Sequence, residues 1–148
     1  MSAVTSKPTA EAEIRDLVNN RVESVRAKDV GRLMSDHAPD ILLFDVLIPL
    51  QYSGVEEARK RTEEWFSAYG GPIGYEVRDL NITAGADVAF CSFLYHVTGT
   101  MTNGTEVNMW VRTTLCCRKI EGRWLVTHEH NSVPFDAETG KVGLELKP

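Results

Sequence analysis

Apolar residues recur at helical spacing near the start of the chain. Ile14, Leu17, Val18, Val22 and Val25 fall three or four apart, so they line one face of a helix from Thr9 to about Lys28. Thr9 can cap it, and Glu11 and Glu13 put negative charge in its first turn, where the helix dipole favours it. Asp29 opens a shorter helix with Leu33 and Met34 turned inward, ending near His37 and Ala38. Then comes an uncharged run, Ile41 to Phe44, bounded by Pro39 and Asp40 before it and Pro49 after it. It reads as a buried strand closed by Asp45. Gly54 breaks the chain, and Val55 to Tyr69 predicts a third helix that Gly70 and Gly71 stop.

The rest alternates with period two. Strands are predicted over Gly74 to Thr83, Val88 to Thr100, Glu106 to Lys119 and Arg123 to Val133, with Thr102-Asn103-Gly104 as a hairpin signal. In the third of these, Val107, Met109, Val111, Thr113, Leu115 and Cys117 form the apolar face, which is assigned inward. Phe93, Tyr95 and Val97 are expected to share it, with Leu125, Thr127, Glu129 and Asn131. The opposite face carries His96, Trp110, Arg112, Trp124, His128 and His130. That face is too aromatic for free solvation, and it predicts a homodimer packed through the outer sheet face. Three helices followed by antiparallel hairpins define an α+β fold, the helices lying on one face of a strongly bent sheet. Residues 1–8 read as a mobile arm, 9–134 as a single domain and 135–148 as a C-terminal extension. In that extension Val142, Leu144 and Leu146 could add an edge strand or reach a neighbouring subunit.

Composition narrows the partners. A chain of 148 residues, 43% hydrophobic, holds one core, and a formal charge of −5 argues against nucleic acid or an anionic membrane as partner. No window is apolar enough to span a bilayer. Three cysteines, two of them adjacent (Cys116 and Cys117), with no CxxC spacing, suit a reduced, cytoplasmic setting rather than a disulfide framework or zinc site.

Candidate chemistry centres on Asp45. A carboxylate at the end of an apolar strand loses hydration, and must be paired, hydrogen-bonded or protonated, which makes it a candidate general base; the plainer alternative is an aspartate capping a turn. Glu129, on the inward face, needs a partner, and Arg21 could serve it or Asp45. An Asp45–Glu129 pair could divide into base and acid, since two neighbouring carboxylates do not both ionise cheaply. His128 and His130 could chelate a metal from one strand face, or hydrogen-bond within a subunit interface.

Two stretches, Asp40 to Asp45 leading to Gly54 and Gly122 to Ser132, carry a resemblance to the nuclear-transport-factor-2-like superfamily, and within it to SnoaL-like and ketosteroid-isomerase-related proteins. The second stretch also resembles the association domain of calmodulin-dependent kinases. The resemblance spans roughly Glu11 to Pro134. It implies a cone-shaped fold of three N-terminal helices on a curved, mainly antiparallel sheet, enclosing a pocket for a small apolar molecule, with no cofactor. Members range from isomerases, cyclases and dehydratases to non-catalytic scaffolds. Asp45 falls on the position of the ketosteroid isomerase base, while that enzyme's oxyanion donors fall near Arg21 and Thr113, so steroid isomerase activity itself is not expected. The implied catalytic group is Asp45, Glu129 and Tyr95. Arg21, Trp65, Tyr69, Phe93, Met109, Thr113 and Asn131 are expected to line the pocket.

Overall fold

The computed structural model describes residues 8–148; apart from Pro8, the expected N-terminal arm lies outside them. Helix α1 (Ala10–Arg26) starts at Thr9, whose Oγ1 accepts the Ala12 N–H at 3.1 Å, and buries Ile14, Leu17, Val18, Arg21 and Val25. Helix α2 (Val30–Met34) starts at Asp29, whose side chain accepts the Arg32 N–H at 3.0 Å. It stops earlier than expected. His37 and Ala38 are already extended and open strand β1 (His37–Phe44). Pro39 disfavours helix in the residue before it, and pairing of His37 with Val126 draws the chain into the sheet.

After β1 come a two-residue strand β2 (Tyr52–Ser53) and helix α3 (Val55–Ser67). Gly54, at φ +93°, makes the turn between them and donates its N–H to the Ile41 carbonyl at 2.8 Å. Four long strands complete the chain: β3 (Gly74–Ala84), β4 (Val88–Thr100), β5 (Glu106–Ile120) and β6 (Arg123–Ser132). They make one six-stranded sheet in the order β2-β1-β6-β5-β4-β3. All pairings are antiparallel except β1 with β6, which is parallel and sets the first long strand beside the last.

Three register shifts interrupt the sheet, one of them in β1 between His37 and Leu42, and the other two reset its faces. In β3 the register slips between Arg78 and Asn81, with Asp79 at φ +58°, so the inward positions change from Tyr75 and Val77 to Leu80 and Ile82. In β6, Cys116 pairs with His128 but Cys117 with Val126, which leaves Thr127 unpaired. The phase therefore shifts. Trp124 and Val126 are buried inward on one side of the bulge, and Glu129 and Asn131 on the other. The expectation of Trp124 outward with Leu125 and Thr127 inward is corrected by this extra residue.

The inward faces of β4 and β5 are as predicted, from Cys91 to Val97 and from Val111 to Cys117. The C-terminal extension adds no strand. It forms a single bridge, Phe135 with Val142, and leaves Leu144 and Leu146 exposed. Ile14, Ile41, Tyr75, Val111 and Leu115 are fully buried in the core. Truncation of Ile41 to alanine is expected to cost about 2–5 kcal/mol, whereas Ile120→Ala on the surface should stay within about 0.5 kcal/mol. Urea denaturation of the two variants measures the contrast.

Candidate functional site

The register across the sheet sets one inward row beside Asp45. Phe44 pairs with His130, so the chain leaves β1 at Asp45 level with Asn131; Asn131 pairs with Thr113, and Thr113 with Phe93. One row deeper, Leu43, Glu129, Leu115 and Cys91 follow one another. Period-two alternation puts Asp45 on the same face as Ile41 and Leu43. It is half-buried.

Beneath it lies a closed polar network. The Arg21 guanidinium grips Glu129 with both arms, Nη1 to Oε1 at 2.7 Å and Nη2 to Oε2 at 2.9 Å, and its Nε donates to the Tyr75 hydroxyl at 3.1 Å. Asn131 Nδ2 donates to Glu129 Oε2 at 2.7 Å, and Thr113 Oγ1 donates to Asn131 Oδ1 at 2.5 Å. Burial alone would raise the Glu129 pKa, but the Arg21 charge and its two hydrogen bonds overrule it and hold the carboxyl at about 2. Glu129 therefore stays ionised. With both oxygens held by Arg21, it is a weak proton donor beside Asp45. His37, which sequence reasoning assigned to a helix end, sits in the same electrostatic neighbourhood. Burial lowers its pKa against the pull of Glu129, and its Nδ1–H faces the Leu33 carbonyl at 3.0 Å.

Asp45 differs from Glu129 in every respect. Among the described residues it has no ion pair, and Oδ1 accepts one N–H, from Val46 at 2.8 Å. Burial raises its pKa and the Glu129 charge adds to the rise, opposed by the Val46 hydrogen bond, the Arg61 charge and Asn131. Tyr52, half-buried nearby, is pushed up to about 12, by burial first and then by the Asp45 and Glu129 charges. Tyr95 is buried and stacked on Tyr75 at 4.9 Å, and burial raises its pKa.

The expected lining divides in two. Arg21, Phe93, Thr113 and Asn131 gather with Asp45, Glu129 and Tyr95. Tyr69 lies elsewhere: its ring packs on Gly99, where an added Cβ would meet it at 2.8 Å. Met109 is four residues along β5 from Thr113, roughly 13 Å at strand spacing. Trp65 leans on Phe66, ring centroids 5.2 Å apart, one turn before Tyr69. Sequence reasoning missed Tyr52, Arg61 and His37, because no spacing rule links them to Asp45.

Two concavities lie away from Asp45. A groove of about 470 Å³ crosses the outer sheet face between Leu94, Arg112, His130 and Ser132, and another of about 390 Å³ lies between α1 and β6. On the outer face Phe44 is flanked edge-on by His128 and His130, at 4.8 and 5.3 Å. His128 Nδ1 faces the Leu42 carbonyl at 2.8 Å, and among the described residues no third ligand completes a metal cluster.

Residues 14–136 match the SnoaL-like domain family. The chain belongs to that family. Among solved structures, this SnoaL-like domain is similar to a nuclear-transport-factor-2-like protein of unknown function from Pseudomonas putida, at 32% identity over 94% of this chain and 96% of that one, with a TM-score of 0.86. It is also similar in fold to a ketosteroid isomerase-like protein from Erwinia carotovora atroseptica (19% identity, 82% and 94% covered, TM-score 0.71). A third similar structure is a nuclear transport factor 2 superfamily protein from Salmonella enterica (17% identity, 88% and 95% covered, TM-score 0.75). The expected superfamily and cone-shaped α+β fold are thereby established. No curated protein matches the sequence.

Two pH effects follow. Glu129 titrates lower in the fold than its ordinary value of 4.5, so the stability it contributes is complete above that value and is lost as pH falls towards about 2. Asp45 titrates higher than its ordinary value of 3.8, so its ionised form opposes folding at neutral pH and Asp45→Asn should leave the melting temperature unchanged or higher. Removing one partner of the buried ion pair, as in Glu129→Gln, should cost about 3–5 kcal/mol because Arg21 is left unpaired. The same variant should lower the Asp45 pKa, read by carboxyl carbon NMR.

Proposed function

We propose that this SnoaL-like domain binds a small apolar carbonyl compound at the open end of the cone. There, without a cofactor, Asp45 moves a proton in an isomerase-, cyclase- or hydratase-type reaction. The observation that carries the reading is the condition of Asp45. It is half-buried, free of any ion pair among the described residues, held by one backbone N–H, and raised in pKa. A base needs a proton affinity above that of a solvated carboxylate and a lone pair not already committed to a cation. Glu129 meets neither condition, since Arg21 holds both its oxygens.

The neighbouring groups suit the task. Asn131 lies in the Asp45 row, is fixed by the Thr113 hydroxyl, and keeps one amide N–H beyond the one given to Glu129, so it can orient a bound carbonyl. Phe93 and Tyr95 give apolar wall, and the Tyr95 hydroxyl makes no side-chain hydrogen bond among the described residues. The family fits such chemistry at the level of small-molecule isomerases and dehydratases.

A second reading, non-catalytic ligand binding or oligomerisation, is favoured by the self-satisfied network around Arg21 and by the outer sheet face. That face exposes Phe90 to 52% and carries His96 stacked on Trp110 at 4.6 Å, a surface suited to a homodimer contact. Sedimentation of wild type against Phe90→Arg tests it: a dimer that dissociates in the variant supports that contact.

Deuterium exchange separates the two readings. The methyl protons of 2-acetylnaphthalene in D₂O should exchange faster with the wild-type protein. Asp45→Asn should lose about 10²–10⁴ of that acceleration while still binding the ketone. Exchange at the wild-type rate in the variant would sink the base assignment.

A further inference from the structure

Just past the end of β1, the Asp45 carboxylate lies close enough to the Arg61 guanidinium to feel its charge, yet the two form no ion pair among the described residues. Arg61 comes from α3, one turn before Trp65, and reaches back towards the β1–β2 segment. Two contacts fix it. Its Nη2 donates to the Ile48 carbonyl at 2.8 Å, and its Cζ lies 4.5 Å above the centre of the Tyr52 ring. A cation over an aromatic face is held in place by the ring while its N–H groups remain hydrogen-bond donors.

One of those donors is unused. Arg61 Nε is buried and has no hydrogen-bond partner, and no carboxylate lies within ion-pair distance of the Arg61 guanidinium among the described residues. A buried donor left unpaired normally costs about 1–3 kcal/mol, so native structures retain few of them. Asp45 is near enough for the Arg61 charge to lower its pKa, yet it takes its hydrogen bond from Val46 instead. Arg21, the other cation in this part of the cone, is committed to Glu129 and Tyr75. Arg61 Nε is therefore the guanidinium donor left without a partner here, among the described residues.

We infer that the ligand of the Asp45 site presents an anionic oxygen, a carboxylate or an enolate, and that Arg61 is the residue that binds it. The inference rests on the Asp45 mouth being the binding site proposed above, and it supplies the oxyanion partner missing from Arg21 and Thr113. When Asp45 takes a proton from the carbon next to a carbonyl, the C–H electron pair becomes the new C=C bond. The carbonyl π pair then moves onto oxygen. Arg61 faces that charge, and return of the proton from Asp45 to carbon restores the carbonyl. No electrons leave the pair of reactants, so no oxidant or reductant is required. A fixed donor aimed at a developing oxyanion is typically worth about 10²–10³ in rate.

The test is binding of two matched probes, 2-naphthoate and 2-acetylnaphthalene, by calorimetry at neutral pH. Wild type should bind the anion at least about tenfold more tightly than the ketone, equivalent to about 1.4 kcal/mol. Arg61→Gln should erase that preference by weakening naphthoate binding far more than ketone binding, and Arg61→Lys should keep part of it, because charge survives but the fork does not. Asp45→Asn should strengthen naphthoate binding by removing a like charge. An anion preference that persists in Arg61→Gln overturns the inference. Ketone binding with no anion preference in wild type overturns it too, yet leaves the proposed function standing. Failure of both probes to bind overturns both. Thermal melts of the variants guard against misfolding, and the Arg61→Lys result decides the matter should Arg61→Gln not fold.

Discussion

The forked ion pair between Arg21 and Glu129 ties α1 to β6 across the inside of the cone, and Tyr75 extends the tie to β3. Elements from both ends of the sequence thus converge on two side chains. A buried pair of this kind gains little net stability, because desolvating two ions costs nearly what their attraction returns. Its effect is to specify position. Any slip of α1 along the sheet, or of β6 by one residue, would strand a charge in an apolar interior. The β6 bulge at Thr127 satisfies that constraint, since it lets Trp124 and Val126 fill the core while Glu129 and Asn131 face Arg21 and Thr113.

The same pair sets the electrostatics above it. With Glu129 ionised but neutralised locally by Arg21, the residual negative potential adds to burial in raising Asp45. Two carboxylates one row apart are driven in opposite directions, one committed to structure and one left free to titrate. The difference comes from their partners rather than their depth alone, because the deeper one is the more acidic. Arg61 tempers the upper carboxylate without capturing it.

The parallel pairing of β1 with β6 completes the arrangement. It carries the end of β1 to the level of Asn131, so a residue from the first third of the chain meets residues from the last. The β1–β2 segment that follows exposes Leu47, Ile48 and Leu50. Its Ile48 carbonyl and Tyr52 ring are what hold Arg61.

By itself the sequence determined what depends on local periodicity. The α1 face, the alternation along β4 and β5, and the inward placement of Glu129 and Asn131 follow from the spacing of apolar side chains, and the caps at Thr9 and Asp29 from residue type. The family resemblance in Asp40 to Gly54 and Gly122 to Ser132 carried the fold further than spacing could. Tertiary structure decided the rest. The Thr127 bulge and the parallel β1–β6 register are choices among pairings with similar local preference, settled by which one leaves no buried charge alone. Likewise, nothing near Arg61 in the chain distinguishes it from Arg59 or Lys60 on the same polar helix. Only the packing of α3 against β1 and β2 puts that one cation over Tyr52 and beside Asp45.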